Sequence, residues 1–412
     1  MHIGKITKFK LIVSFSILIV LIIMSNYLNF NVNKNVSNVI EYKSINSASG
    51  GITFDELSKV KNKYKDLELT GCKEMTSSVT NKYGVSPQKE MKTEEAIRTK
   101  IVLTDENYFD LYPFRMIRGG KLDFLTVKYG SKVAIVSDVL ANSLFKSVDV
   151  IGSTLNVGNS KYRIVGVYKE NKSLLYSAAE DGYERIYVPY TAYSDQDKKD
   201  KSFIDIMATR ETKNYDEKAI NDKLSKALND KMPLYKSVNY TVSKQIVLQN
   251  IKILYFIVGC IVIAFFIKLI LKFICEIKLL FKEKLRVSYL KEVILNNKKE
   301  ILILFSKVFI CIVGIATVFN LIKFNLVIQN KYLPSENIFD VSFYRTTIIS
   351  NIQLNNANEN GISNVYNRYL AIVGKTEAFV LLGEVAALAA GVMHLVWALA
   401  HCHSEAKENI CS

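Results

Sequence analysis

Residues 132–145 read KVAIVSDVLANSLF. Lys132 to Val136 is a short run rich in β-branched residues, the pattern of a strand. Ser137 follows at once and has the hydroxyl that an N-cap needs. Leu140, Ala141, Leu144 and Phe145 then recur at the spacing that puts them on one apolar helix face. A strand passing directly into a capped helix implies a fold that mixes the two element types.

The neighbouring segments extend that reading. Upstream, Ile97 to Leu103 reads as a strand, Glu106 to Leu111 as a short helix or turn, and Phe114 to Arg118 as a strand stopped by Gly119-Gly120. Downstream, Tyr162 to Tyr168 alternates as YRIVGVY, Arg185 to Val188 is a strand ended by Pro189, and Phe203 to Thr209 is another. Tyr240 to Val242 reads as a last short strand. Thr53 and Glu56 form a capping box ahead of Leu57, Val60 and Tyr64. Asn214 and Glu217 repeat that pattern ahead of Ile220, Leu224 and Leu228. The sum is an α+β domain over residues 29–252.

Four apolar blocks flank this domain: residues 11–28, 253–275, 301–322 and 378–400. The first has 18 residues, which make a helix of roughly 27 Å, close to the ~30 Å hydrocarbon core. It follows a basic leader, residues 1–10, and no small-x-small cleavage site comes after it, so it reads as an uncleaved anchor. The other three are longer, at 22 or 23 residues, and carry only isolated charges, whereas a soluble helix of that length keeps a polar face. Lys268 and Lys272 fall in the inner half of the second block and Lys307 near the inner end of the third, where long amines reach the headgroups.

The loop 276–300 carries Lys278, Lys282, Lys284, Arg286, Lys291, Lys298 and Lys299. Its shortness and charge place it in the cytoplasm by the positive-inside rule. The expected topology is then leader and tail (401–412) inside, and residues 29–252 and 323–377 outside. The localisation expected is the bacterial cell membrane. The net charge of +15 needs no nucleic acid as partner, because anionic lipid faces the basic loop.

Several chemistries are excluded. The only histidines are His2, His394, His401 and His403. Residues 29–252 therefore contain no Ser-His-Asp or Cys-His pair and no histidine-ligated zinc. The sequence has no GxxxxGK[ST] phosphate loop, no HExxH and no GxSxG. Of the six cysteines only Cys72 lies in the 29–252 domain, which rules out a disulfide within it. His401, Cys402, His403 and Cys411 match no standard zinc spacing, and the tail reads as irregular. No catalytic residue, cofactor or metal site is expected.

Three stretches in fixed order resemble a known family: LTDENYFDLYPFRMIRGGKL (103–122), KVAIVSDVLANSLFKSVDVIGSTLNVGNSKYRIVGVYKE (132–170) and RIYVPYTAY (185–193). Tyr108-Phe109, Gly119-Gly120, Ile151-Gly152, Val165-Gly166-Val167 and Val188-Pro189 carry the likeness. Together they resemble the extracytoplasmic core domain of the MacB/FtsX-like ABC transporter permeases, whose layout is one span, a large outer domain and three more spans. The resemblance implies an outer domain with a membrane-proximal α/β part and a mostly β insert, here about residues 105–200, on a four-helix transmembrane domain. It implies a non-catalytic permease subunit, working as a dimer with a second copy or a paralogue. A separate cytosolic ABC ATPase would drive movement of the outer domain for export, extraction or force transmission.

Two segments are candidate working parts. Residues 285–303 suit an amphipathic helix where the family has its coupling helix, with Arg286, Tyr289, Leu290, Lys291 and Val293 as candidate contacts to the ATPase. A helix lying on lipid fits the same pattern. In the fourth block Gly383, Ala387 and Gly391 recur every four residues, a small-residue face that permits close helix approach, within the chain or to a partner. Glu384 in that block is costly unless paired or near the outer surface. The competing reading of the whole chain is a membrane-anchored binding or sensor protein without transport.

Overall fold

A computed structural model describes residues 5–411 apart from 46–49, 81–96, 113, 158–159, 194–202, 213–215, 287–288, 329–333, 335–336, 338 and 358–364. The helices are α1 Lys5–Asn35, α2 Phe54–Lys63, α3 Tyr108–Leu111, α4 Phe124–Lys128, α5 Asp138–Phe145, α6 Leu174–Ser177, α7 Glu217–Leu228, α8 Tyr240–Lys284, α9 Leu290–Asn296, α10 Lys298–Ile322, α11 Val341–Ala357 and α12 Val365–Cys411. The strands are β1 Ile40–Ser44, β2 Leu69–Thr80, β3 Ile97–Thr104, β4 Arg115–Gly119, β5 Val133–Ser137, β6 Thr154–Val157, β7 Ser160–Lys169, β8 Glu184–Pro189, β9 Ile206–Thr209 and β10 Tyr235–Asn239.

The chain divides into two units. The helical unit comprises Met1–Leu28, Ile246–Asn330 and Lys375–Ser412, and the α/β unit comprises Asn29–Gln245 and Lys331–Gly374. Among the described residues four helices are long and apolar enough to cross a membrane: α1, α8, α10 and α12. At 45 residues α8 is more than twice the length of the roughly 20 residues that cross a hydrocarbon core. The tail expected to be irregular continues α12 to Cys411; no glycine or proline interrupts residues 401–411.

In the α/β unit the described strands form one sheet in the order β10-β1-β9-β2-β3-β8-β5-β7-β4, with β6 paired to β2 and β7. Two pairings are parallel, β3 with β8 and β5 with β7; the other pairings are antiparallel. Between β5 and β7 the chain passes through α5, capped by Ser137 Oγ, which accepts from Leu140 N–H at 2.9 Å. Lys146 closes α5 in the left-handed conformation, one of the commonest ways a helix ends.

Alternation along the strands splits the core in two. Ile101 and Leu103 of β3, Ala134 and Val136 of β5, and Ile186 and Val188 of β8 join one aliphatic cluster. That cluster is covered by Phe54, Leu57 and Val60 of α2, Leu140 and Ala141 of α5, and Ile220, Leu224 and Leu228 of α7. Val102, Val133, Ile135 and Tyr187, at the intervening positions, pack with Phe109 and Tyr168 in a second, aromatic cluster.

Two local expectations are corrected. Tyr240 to Val242 is not a strand; the strand is β10, and Tyr240 opens α8. Asn239 turns the chain there, its Oδ1 accepting from Val242 N–H at 3.1 Å. The cap of α7 is Asp216, whose Oδ1 accepts from Ala219 N–H at 2.8 Å; Asn214 lies outside the described residues. The capping box at Thr53 and Glu56 is present as expected. Strands β1, β2 and β6 had no clear sequence signal. β2 reads LTGCKEMTSSVT, too polar for an apolar-run criterion although it lies inside the sheet.

Gly119 ends β4 at φ +66°, and a Cβ there would lie 2.0 Å from the Val165 carbonyl oxygen. Only glycine meets both demands, so the stop at Gly119-Gly120 is a close approach of β4 to its paired strand β7.

Candidate functional site

The segment expected to form one amphipathic helix over residues 285–303 is broken in two. α8 persists to Lys284, and Asn297, at φ −113° and ψ 26°, separates α9 from α10. The Asn297 side chain donates to the Val293 carbonyl oxygen at 3.0 Å, a local bond that competes with helix continuation. Arg286 is exposed and Tyr289 is 84% exposed, whereas Val293 is 2% exposed. Leu290 and Lys291 stand in the first turn of α9, and their side chains lie outside the described residues. α9 thus buries Val293 and leaves a neighbouring tyrosine in the open.

In the helical unit the small-residue face of α12 meets α1. A Cβ on Gly383 would lie 3.2 Å from Leu21, and one on Gly391 would lie 3.7 Å from the Phe15 ring. Ala387, between them, is half-buried. On the same helix Glu377 Oε2 accepts from the Ser25 hydroxyl at 2.8 Å. Glu384 is fully buried, and neither carboxylate oxygen has a hydrogen-bond partner among the described residues.

The α/β unit holds a cavity of about 130 Å³ beside its aromatic cluster. Strand parity at β8 and a register shift in β7 create it. Tyr168 of β7 and Tyr187 of β8 point away from the aliphatic face and pack edge-on at 5.7 Å. α3 adds Tyr108, 5.4 Å from Tyr187, and Tyr112 follows it. Tyr366, at the start of α12, stacks on Tyr112 at 5.8 Å. Glu74 of β2 is hydrogen-bonded to Arg185 of β8 at 3.3 Å and to Lys100 of β3 at 3.0 Å. Asp181 completes the group, 2.9 Å from Arg185 and 2.6 Å from Lys100.

Electrostatics divides this wall. Burial works against the Arg185 charge, but Glu74 and Asp181 override it and hold its proton more tightly than usual. Asp181 is held below the usual carboxylate range, its burial outweighed by Lys100 and Arg185. Glu170 behaves oppositely: burial, and then the charges of Glu184, Glu180 and Asp138, push it up to about 7 against the opposing effect of Lys172. Burial also raises the phenols of Tyr108, Tyr168 and Tyr187, keeping them neutral hydroxyls.

The sequence reading did not select these residues. Parity signals only one of them: Tyr187 lies between Ile186 and Val188 in RIYVP, which puts its phenol opposite the main core. Tyr168 has the spacing of Tyr162 and Ile164, which sit in the main core, and reaches the other face because β7 shifts register against β5 between Ile164 and Gly166. Among the described residues no group of His, Cys, Asp and Glu is placed to hold a metal ion.

A sheet domain combined with four membrane-length helices defines a multi-pass membrane protein carrying a mixed α/β domain. The family model described as MacB-like periplasmic core domain matches residues 11–226, more than half of the chain, and the chain belongs to that family, with the MacB/FtsX-like permeases. A curated relative, an uncharacterized ABC transporter permease, YvrN, of Bacillus subtilis (strain 168), is 28% identical over 87 residues. That match covers 21% of each chain, so about a fifth of the relative's length is spanned. The periplasmic region of MacB from Actinobacillus actinomycetemcomitans aligns at 14% identity and a TM-score of 0.40, covering 52% of this chain and 94% of the other. The extracellular domain of the noncanonic ABC-type transporter YknZ from Gram-positive bacteria aligns at 16% identity and a TM-score of 0.36, covering 49% of this chain and all of the other.

Proposed function

We infer that this chain is the permease subunit of an ABC transporter. A separate cytosolic ATPase drives it, and the work is done by movement of the α/β domain outside the membrane, in export, extraction or force transmission. The family match over residues 11–226, in a chain with four membrane-length helices, carries the reading. The chain has no phosphate-binding loop of its own, so nucleotide hydrolysis belongs to another chain. The basic stretch between α8 and α10 faces the cytoplasm, the termini lie on the same side, and the bacterial cell membrane is the site of action. Arg286, Tyr289, Leu290, Lys291 and Val293 form the contact with the ATPase, Val293 anchoring α9 while Tyr289 projects. The subunit pairs with a second copy or a paralogue, and Gly383, Ala387 and Gly391 support close helix packing.

Affinity purification from native membranes tests this. The intact chain is expected to retain an ABC ATPase, and a chain lacking residues 286–297 to lose it while staying in the membrane. Retention of the ATPase by the deleted chain would remove the coupling assignment. An intact chain that never captures an ATPase would favour an anchored binding protein.

A further inference from the structure

We propose that the tyrosine-walled cavity of the α/β unit is a binding site for a primary ammonium group on a short apolar stem. Neither the family match nor the permease reading assigns a ligand here, and the inference does not depend on either.

Space is the first observation. A volume of about 130 Å³ is far more than the ~10–15 Å³ one water needs, and near the 150 Å³ of an engineered cavity that takes benzene. The wall supplies the second. Tyr187 is 3% and Tyr168 is 7% exposed, and the hydroxyls of both make no hydrogen bond among the described residues. Neither hydroxyl is among the occluded polar atoms, so both are open to a ligand or to solvent in the cavity.

Charge is the third. The cavity is lined by Glu41, Glu74, Glu170 and Glu180 against Lys169 and Arg185. Arg185 is already neutralised by Glu74 and Asp181, and Lys169 is exposed. Glu41 receives the Tyr112 hydroxyl at 2.6 Å. The carboxylates of Glu170 and Glu180 have no hydrogen bond or ion pair among the described residues. The wall therefore lacks one positive charge with donors. A metal ion does not meet the need, since no group of three or more His, Cys, Asp or Glu among the described residues is placed to hold one. An ammonium group does: its three N–H donors match two carboxylates and a phenol, and its stem lies against aromatic rings.

Protonation gives the site a pH signature. Glu170 faces Glu184, Glu180, Asp138 and Lys172 and titrates at about 7. An alkylammonium stays charged well above that, so binding strengthens as Glu170 ionises, by about 10-fold between pH 6 and pH 8.

Calorimetry on the full chain in lipid nanodiscs tests this with butylamine, its neutral counterpart butanol, and a tripeptide with a central lysine. Butylamine is expected to bind and butanol to bind at least about 10-fold more weakly, since one charged hydrogen bond is worth that much. The double variant Glu170→Gln, Glu180→Gln is expected to lose at least about 10-fold in amine affinity and the pH dependence with it. Tyr187→Phe removes one hydroxyl without changing shape and is expected to weaken binding about 3- to 10-fold. A tripeptide that binds more tightly than butylamine assigns the site to lysine side chains of a peptide; the reverse order assigns it to free amines. Equal binding of butanol and butylamine, no heat with any amine at millimolar concentration, or unchanged affinity in both variants would overturn the proposal.

Discussion

Lys244, in the first turns of α8, donates from Nζ to the carbonyl oxygen of Val36 at 3.1 Å, just past the end of α1. The same ammonium reaches Asn38 Oδ1 at 3.2 Å and the Asn33 carbonyl at 3.5 Å. A cation at a helix C-terminus satisfies orphan carbonyls and opposes the dipole. Beside it β1 and β10 pair in register from Ile40 with Asn239 to Ser44 with Tyr235, and Tyr240 N–H donates to Val39 at 2.9 Å. The strand that follows α1 and the strand that precedes α8 are thereby locked together at one edge of the sheet. Lys244→Met is expected to destabilise the α/β unit by about 1–3 kcal/mol, the worth of charged hydrogen bonds left unmade. Lys244→Arg is expected to recover part of the loss. Thermal unfolding of the purified chain followed by circular dichroism checks both.

The close approach of β4 to β7 at Gly119 sets a second expectation. Gly119→Ala puts a methyl group 2.0 Å from the Val165 oxygen at a positive φ, and should cost about 3 kcal/mol or more. Gly120, which has open space around its Cβ position, is the internal control: Gly120→Ala should change stability by less than about 1 kcal/mol. Equal melting temperatures for the two variants would contradict the close approach.

Glu170 gives a pH dependence with a defined sign. Its folded-state pKa of about 7 lies above the ordinary 4.5, so the folded chain binds the proton more tightly than the unfolded chain. Its contribution favours folding at low pH and is lost as pH rises from the ordinary value through about 7. Glu170→Gln should therefore stabilise the fold at pH 8, by about 1–2 kcal/mol after allowance for solvent screening. It should be close to neutral near pH 4. Denaturant titrations at the two pH values provide the comparison, and a benefit at pH 4 alone would be the wrong sign.

Glu384 predicts a stabilising substitution. A buried carboxylate with neither oxygen partnered is unfavourable in an apolar helix contact, and Glu384→Leu should stabilise the chain in detergent by about 1–3 kcal/mol, seen as a higher unfolding midpoint. Glu377, bonded to Ser25, should respond in the opposite direction when changed to Leu. A lower midpoint for Glu384→Leu would show that the carboxylate has a partner outside the described contacts.

Periodicity made the helical unit readable. Four uninterrupted apolar runs have no alternative to helices of membrane length, because an apolar surface that long finds no polar side to expose. The strands with β-branched runs, KVAIV and YRIVGVY, and the caps at Thr53 and Ser137 were legible for the same reason: each signal lies within a few residues. β2 escaped because its polar residues sit inside the sheet through cross-strand partners, Glu74 with Arg185 and Lys100, that are distant in sequence. The cap at Asp216 and the break at Asn297 turned on which of several nearby polar side chains wins a backbone bond.

The order of residues alone determined four apolar helices, a mixed α/β domain and the absence of histidine chemistry within that domain, since each follows from local pattern or composition. Only the tertiary structure decided that Tyr168, Tyr187, Glu170 and Glu180 line one cavity and that Gly383 and Gly391 lie against α1. The four cavity residues all lie within 168–187, but the register shift in β7 and the order of the sheet decide that they turn to one side. The contact of α12 with α1 joins segments more than 300 residues apart, which no local window contains.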